Sequence, residues 1–551
     1  MRRYICKTIF FIIAGTALCP HTLMPKAHGL AESTGPDGSN AKAVHALGET
    51  GDGINVGLIS AGNTRVTHEA FKNAQGDPNA FAYDFTGDGI QYSSHDTWVA
   101  GVVASRGGAA HPNDLGVAPG ANIHSARVVD DGDSISFTYI TEALDYLISV
   151  KNCRVIVTGI QLYDSILAIP DGNSIWTKIY DYYAYNDDVV FANAAGNFLY
   201  DACGILITNR ITIFGDAYNG ITTGGLRITN PDVYGRIGSI SCEGPTQDGR
   251  NKPELAAPVQ NQTVPSGSSD TSWLTWTSAG GETSFSAPHT AGVAALLLGL
   301  ADNTNNPNDG HNEVIKAVIV NSTFPNIKDR SGNPTNPADP NNTWHPERGY
   351  GRLDALRAYE LLDSNQVLAD VNITEEKGWA YATMTNSFEE DSYRIHGEKN
   401  ERFVLTVTWN RLIDSNYAEE TPKFNLNLTI KDPNDQTIFS ETDTLNNLKK
   451  VDLLLPGDGV YKVVVKNTTT KNNRKYALAF ELLSPIPGDF YPADYIVDYN
   501  DMATLSEQWL LEGENLEADL FDDDSNIVNL PDFAEFANHW LETDSRYYQS
   551  R

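Results

Sequence analysis

Near residue 370 the hydrophobic pattern of this chain changes its period, and no single architecture accommodates both patterns. From Ile54 to about Leu362, short apolar runs alternate with helix-like segments, as in a parallel sheet covered by helices. The runs "INVGLI" and "DVVFANAAG" read as strands and "HDTWVAGVVAS" as a helix. The longer "SFSAPHTAGVAALLLGLA" is apolar on almost every face, which predicts a buried helix. A polar stretch over 302–312 leads to a further helix around Glu313 to Ser322. From about Asp370 the runs "RFVLTVTW", "FNLNLTI", "VDLLL" and "VYKVVVK" follow period two between turn signals such as "DPNDQ" and "PGDG". This predicts an all-β sandwich ending near Leu483. At 551 residues the chain exceeds what one core can organise, and three or four domains are expected.

The start of the chain, Met1-Arg2-Arg3-Tyr4 with an apolar run near Ile9 to Leu18 and small residues after it, has the layout of an export signal with cleavage after Gly29. The run is about half a bilayer crossing, so a secreted location, extracellular or periplasmic, is expected rather than a permanent membrane anchor. Leu18 is too large to make Cys19 a usual lipoprotein site. Without the signal, Cys153, Cys203 and Cys242 permit at most one bridge, and spacing leaves the pair open. A formal net charge of −32 without a basic stripe argues against nucleic acid and anionic membranes as partners. No Cys/His cluster has zinc spacing.

The tail contains a repeat. "GDFYPADYIVDYNDMATLSEQWLLE" aligns with "ADLFDDDSNIVNLPDFAEFANHWLE", placing Asp489 on Asp519, Asp501 on Asp532 and Trp509 on Trp540. Two copies imply one small domain of paired acidic-loop-plus-helix units. The second copy offers Asp519, Asp522, Asp523, Asp524, Asn529 and Asp532 as oxygen ligands for calcium, and the first offers Asp489, Asp494, Asp498 and Asp501. Neither loop has the standard ligand spacing, and the alternative is a solvated acidic turn. The repeat resembles dockerin-type modules, which implies calcium as a cofactor and a cohesin-like docking partner.

Nucleophilic acyl transfer needs an activated hydroxyl, a base, a group that orients the base, and donors for the oxyanion. The segment "GETSFSAPHTAGVAALL" resembles the nucleophile signature of the subtilase family and puts the nucleophile at Ser284. A serine at a helix start lies in the positive end of the helix dipole; taken alone, it also reads as an ordinary cap. "SSHDTWVAGVVAS" is similar to the family's base segment, with His95 as the base, and "GVAPGANIHSARVVDD" to the strand that follows it. "VVFANAAGN" resembles the strand and turn that present the oxyanion amide, here Asn197. "KPELAAP" and "GYGRLDALRAYELL" extend the resemblance over about 300 residues in the family's order.

Several positions depart from the family's pattern. Ser60, in "VGLISAGNTRVTHEAF", stands where the family has the aspartate that orients the imidazole. A serine hydroxyl there accepts the Nδ1 hydrogen bond but carries no charge, a loss worth about 10⁴-fold in turnover. Another carboxylate could substitute for the missing one: Asp84 and Asp96 are nearest to His95 in sequence, although neither is expected on the required strand. Glu282 replaces a glycine before the nucleophile, Trp98 replaces the second histidine of the base motif, and "VIVTGIQ" departs from the substrate-lining strand. Between Gly29 and Ile54 there is too little chain for a separate folded pro-domain.

The resulting expectation is an α/β subtilisin-like parallel sheet with helices on both faces (30–364), an all-β sandwich (365–485) and a small helical calcium-loop repeat (486–551), behind a signal at 1–29. The resemblance implies a serine endopeptidase acting on polypeptides through Ser284, His95 and Asn197, with Ser60 as a weak orienting group. The rival reading is a pseudopeptidase that binds polypeptides or a surface without cutting. The sandwich reads equally as a binding module or a stabilising spacer.

Overall fold

The computed structural model describes residues 29–540 apart from 163–169, 201–203, 230–232, 279, 281, 336–342, 485, 491–496, 498, 514–515, 517 and 522–525. The expected signal, Cys203, Asp494, Asp498 and Asp522 to Asp524 lie outside the described residues.

The α/β domain is built on seven parallel strands: β1 (Asn55–Ser60), β2 (Ala80–Asp84), β3 (Asn122–Arg127), β4 (Val155–Thr158), β5 (Val190–Ala194), β6 (Ile221–Thr229) and β8 (Leu255–Pro258). Their spatial order is β8-β6-β5-β4-β1-β3-β2, and β7 (Val233–Ile237) returns antiparallel on β6. The chain crosses from one side of β1 to the other between β3 and β4. Such a reversal opens a crevice at the carboxyl ends of the strands, where ligands collect in open α/β sheets. The apolar strand runs are buried on both faces because helices cover the sheet.

Helix α1 (Ser94–Ala104) begins at the crevice, where the Ser93 hydroxyl caps it by accepting from Asp96 N. Helix α2 (Ala287–Asn303) has Pro288 in its first turn and is buried from Ala287 to Ala301, as its all-round apolar sequence predicts. Leu30, directly after the expected cleavage point, is buried with Val102, Val259, Val264 and Phe285. The segment that precedes β1 is thus part of this core.

Helix α3 (Asn312–Asn321) is buried along its whole length, because the sheet side of the α/β domain meets one face and the sandwich covers the other. The sandwich has a five-stranded sheet (372–373, 390–397, 459–467, 426–431, 437–441) and a four-stranded one (377–384, 474–483, 402–408, 448–454). Alternate residues such as Phe403, Leu405, Leu428, Val463, Leu478 and Phe480 fill the space between them, the period-two pattern made physical. The last strand ends at Leu483, as the pattern predicts.

The tail forms two helices, Tyr499–Gln508 and Leu530–Asn538. Val497, Leu505, Ala518, Val528 and Phe536 join an apolar cluster that continues through Ile486 to Leu483 and Val404. Cys153 and Cys242 are both free and buried, so they do not bridge one another. Among the described residues no helix is long and apolar enough to cross a membrane.

Candidate active site

His95 and Asp96 occupy the first turn of α1, held at the mouth of the crevice by the Ser93 cap. The side chains diverge in environment: that of His95 is 39% exposed, whereas that of Asp96 is 1% exposed. Asp96 Oδ2 accepts from Gly62 N at 2.8 Å, just beyond the end of β1. Its Oδ1 lies 3.2 Å from His95 Nδ1.

Ser60 is fully buried at the end of β1. Its Oγ lies 2.7 Å from Gly62 O and 3.2 Å from Ala126 O. Its hydroxyl proton is directed to carbonyl acceptors. Among the described residues no hydrogen bond joins Ser60 to His95, and the group that faces Nδ1 is the Asp96 carboxylate. The Asp84 carboxylate is also engaged elsewhere, accepting from Thr86, Gly87 and Gly89 in its own turn.

Asn197 follows β5 on a turn made by Gly196 at φ +103, where a Cβ would meet Thr212 Cγ2 at 2.4 Å. Gly196 N donates to Thr283 Oγ1 at 3.1 Å, and Asn197 N donates to Gln161 Oε1 at 3.1 Å. Thr283 N donates to Asn197 Oδ1 at 2.9 Å. Only the amide oxygen can accept from an N–H, so this bond orients the carboxamide and leaves Nδ2 as its free donor edge. It also ties the oxyanion candidate to the residue immediately before Ser284.

Ser284 sits half-buried in the turn that enters α2. Next to it, Phe285 stacks on Trp98 at 5.8 Å between ring centroids and on Trp276 at 5.3 Å. The His95 ring is 6.2 Å from Trp98. Trp98, which departs from the family's second histidine, is therefore the packing link between the base helix and the nucleophile turn. Among the described residues no hydrogen bond joins Ser284 to His95; such contacts tighten when substrate closes the site. Glu282 Oε2 accepts from Trp276 Nε1 and its Oε1 from Ser278 Oγ, each at 3.3 Å, so its charge is held by fixed donors.

A second histidine near the nucleophile, His289, lies fully buried in α2 between Ser39 Oγ and Gln262. Burial pulls its pKa down to about 3, so it stays neutral and structural. Gln161 and Thr283 were not singled out from sequence, although both act on Asn197. Their signal is positional: Thr283 precedes the nucleophile and Gln161 follows β4.

In the tail, Asp532 Oδ1 accepts from Leu520 N and Phe521 N, and its Oδ2 from Asn529 N, all at 2.8 Å. With Asn529 it forms a capping box. Asp501 Oδ1 accepts from Phe490 N at 2.7 Å. These aspartates pin helix starts by accepting from backbone donors. Asp489 and Asp519 are partly buried one loop earlier. Among the described residues no cluster of three or more His, Cys, Asp or Glu side chains could hold a metal.

A model of the subtilase family matches residues 36–352. The chain belongs to the subtilase family. Subtilisin E of Bacillus subtilis (strain 168) is 27% identical over 280 residues, covering 49% of this chain and 63% of the relative. The subtilisin of Bacillus pumilus is 26% identical over 264 residues, covering 47% of this chain and 81% of that one. The chain thus spans 63% of the length of the first of these curated relatives. Among solved structures, the Clostridium perfringens CspB protease aligns with a TM-score of 0.48 and 17% identity, over 61% of this chain and 100% of that one. Family membership carries the subtilisin-like α/β fold, and the family is one of serine peptidases.

Proposed function

We propose that this subtilase is a secreted serine endopeptidase in which Ser284 is the nucleophile, His95 the general base and Asn197 the oxyanion donor. The bond from Thr283 N to Asn197 Oδ1 carries the reading, because it fixes the Asn197 carboxamide beside the nucleophile's own turn and leaves Nδ2 as its donor. Ser284 Oγ attacks the peptide carbonyl while its proton passes to His95 Nε2. The carbonyl oxygen becomes an oxyanion that accepts from Asn197 Nδ2 and from backbone N–H at the start of α2. The C–N bond then breaks, the proton moves from Nε2 to the leaving amine, and water releases the acyl group by the same path in reverse.

The test is labelling of the full-length protein by a fluorophosphonate probe beside Ser284→Ala. Labelling confined to the serine protein supports the reading, and the variant should lose about 10⁶-fold in kcat. Absence of labelling in both sinks it and leaves the fold as a polypeptide-binding module.

For the tail we propose docking onto a cohesin-like partner, with calcium held by the acidic turn at 519–524. Support comes from exposed apolar side chains on this small unit, Leu510 at 66% and Leu530 at 68% among them. Isothermal titration of the full chain with calcium tests the cation; heat no larger than that of a protein with Asp522, Asp523 and Asp524 changed to Asn removes it.

A further inference from the structure

We propose that Asp96 is the positioning carboxylate of the catalytic site, supplied from the base's own helix in place of the strand residue that Ser60 has lost. This inference rests on the peptidase reading and names how its base is oriented. Four observations converge on it.

The carboxylate is fully buried, and among the described residues it pairs with no lysine or arginine. Its ionisable partner is His95, through Oδ1 at 3.2 Å. A buried carboxylate without a cationic partner is costly, and an imidazolium forming on His95 during the reaction is the charge that compensates it. Its second oxygen is anchored by Gly62 N, so the carboxylate reaches back to the end of β1, two residues past the serine that replaces the family's acid.

The surrounding backbone leaves room for it. A Cβ on Gly62 would stand 3.2 Å from Asp96 Oδ2, and one on Gly159, after β4, would stand 3.4 Å from Oδ1. The strand ends on both sides of the carboxylate are thus glycines, and at Gly62 a side chain would press on Oδ2. Finally, the competing groups are occupied: Ser60 faces two carbonyls, and Asp84 is committed to its own turn.

The geometry gives Asp96 a defined task. By accepting from Nδ1–H it holds the imidazole in the tautomer whose Nε2 is free to take the Ser284 proton, and it steadies the imidazolium without itself taking that proton. A bond that needed only to anchor Gly62 N would be met by a neutral side chain.

Three variants of the full-length protein test this: Asp96→Asn, Ser60→Asp and the double variant. We expect Asp96→Asn to lose about 10⁴-fold in kcat with KM changed by less than about threefold. Ser60→Asp alone should gain little, because the role is already filled, whereas added to Asp96→Asn it should restore about 10²-fold by returning a carboxylate to the strand. A kcat for Asp96→Asn within about threefold of the parent overturns the inference, as does a large gain from Ser60→Asp alone. Should Asp96→Asn fail to fold, the ¹⁵N spectrum of the histidine-labelled parent decides: His95 protonated on Nδ1 supports the pairing, and protonation on Nε2 overturns it. A parent that shows the Nδ1–H tautomer but no probe labelling loses the peptidase reading while the pairing stands. A parent that labels normally while Asp96→Asn is equally active loses the pairing while the peptidase stands.

Discussion

Two fully buried aspartates, Asp96 at the crevice and Asp181 beneath the sandwich, show how differently the molecule uses the same side chain. Asp181 Oδ1 accepts from Asn219 N at 2.7 Å, and its Oδ2 from Arg411 Nε at 2.7 Å and Tyr218 N at 3.3 Å. Arg411 comes from the sandwich, is 1% exposed, and stacks over Tyr218 at 4.0 Å. Both oxygens accept from fixed donors and the charge is matched by a permanent cation, so Asp181 joins two domains. Asp96 has one oxygen anchored by Gly62 N and the other facing the half-exposed imidazole of His95. A carboxylate saturated by fixed donors is a fastener, whereas one left with a titratable neighbour at a cleft is placed for chemistry.

The comparison breaks most readily at the fastener. Arg411→Met should strand the Asp181 charge and lower stability by about 3–5 kcal/mol, read as the shift of the chemical unfolding midpoint, while Asp181→Leu combined with Arg411→Met should recover much of the loss. An unshifted midpoint in the single variant would show that the sandwich is not held through this pair. At the crevice, Asn197→Ala should lower kcat by about 10²–10³-fold with little change in KM or in the unfolding midpoint; a KM effect without a kcat effect would move Asn197 from oxyanion donor to substrate binder.

A smaller effect sharpens the interface side. Lys450 Nζ is buried against Val320 O and Thr323 Oγ1, and burial pulls its pKa down to about 7. The unfolded lysine titrates near 10.4, so between about pH 7 and pH 10 the unfolded chain binds more protons. Stability therefore rises with pH across that window, and the cost of the buried charge is fully present below it. Lys450→Met should flatten the corresponding part of the midpoint-against-pH curve; an unchanged slope would mean that Lys450 stays charged in the fold. The smallest effect is expected at Glu282, whose carboxylate is held by Trp276 and Ser278. Glu282→Gln should change kcat/KM by less than about threefold, and a large gain would reveal that its charge does oppose the oxyanion.

Much of this arrangement was legible in the residues because it depends on local pattern. Strand and helix positions around β1, β5, α1 and α2 follow from apolar period, and Ser284, His95 and Asn197 are candidates read from short motifs in a fixed order. The departure from the family's pattern at Ser60 was equally visible. The contact between Asp96 and His95 was not, although the two are adjacent: nothing in a sequence says that residue 96 turns inward and reaches Gly62, because that direction is set by the Ser93 cap and by the loop after β1. In the tail, Asp501 and Asp532 sit in acidic repeats that read as ion ligands, and the structure adds a second task that the pattern did not show: they accept from backbone N–H groups at helix starts.

By itself, the sequence determined the change from a helix-covered parallel sheet to a period-two sandwich, because burying one face of a helix or of a strand requires a fixed spacing of apolar residues along the chain. Tertiary structure alone decided which carboxylate meets the imidazole, which one fastens the sandwich, and that α3 is covered on every side. Those outcomes depend on groups far apart in the chain meeting at distances of about 3 Å, and hydrogen bonds weaken steeply when that distance and their alignment are lost.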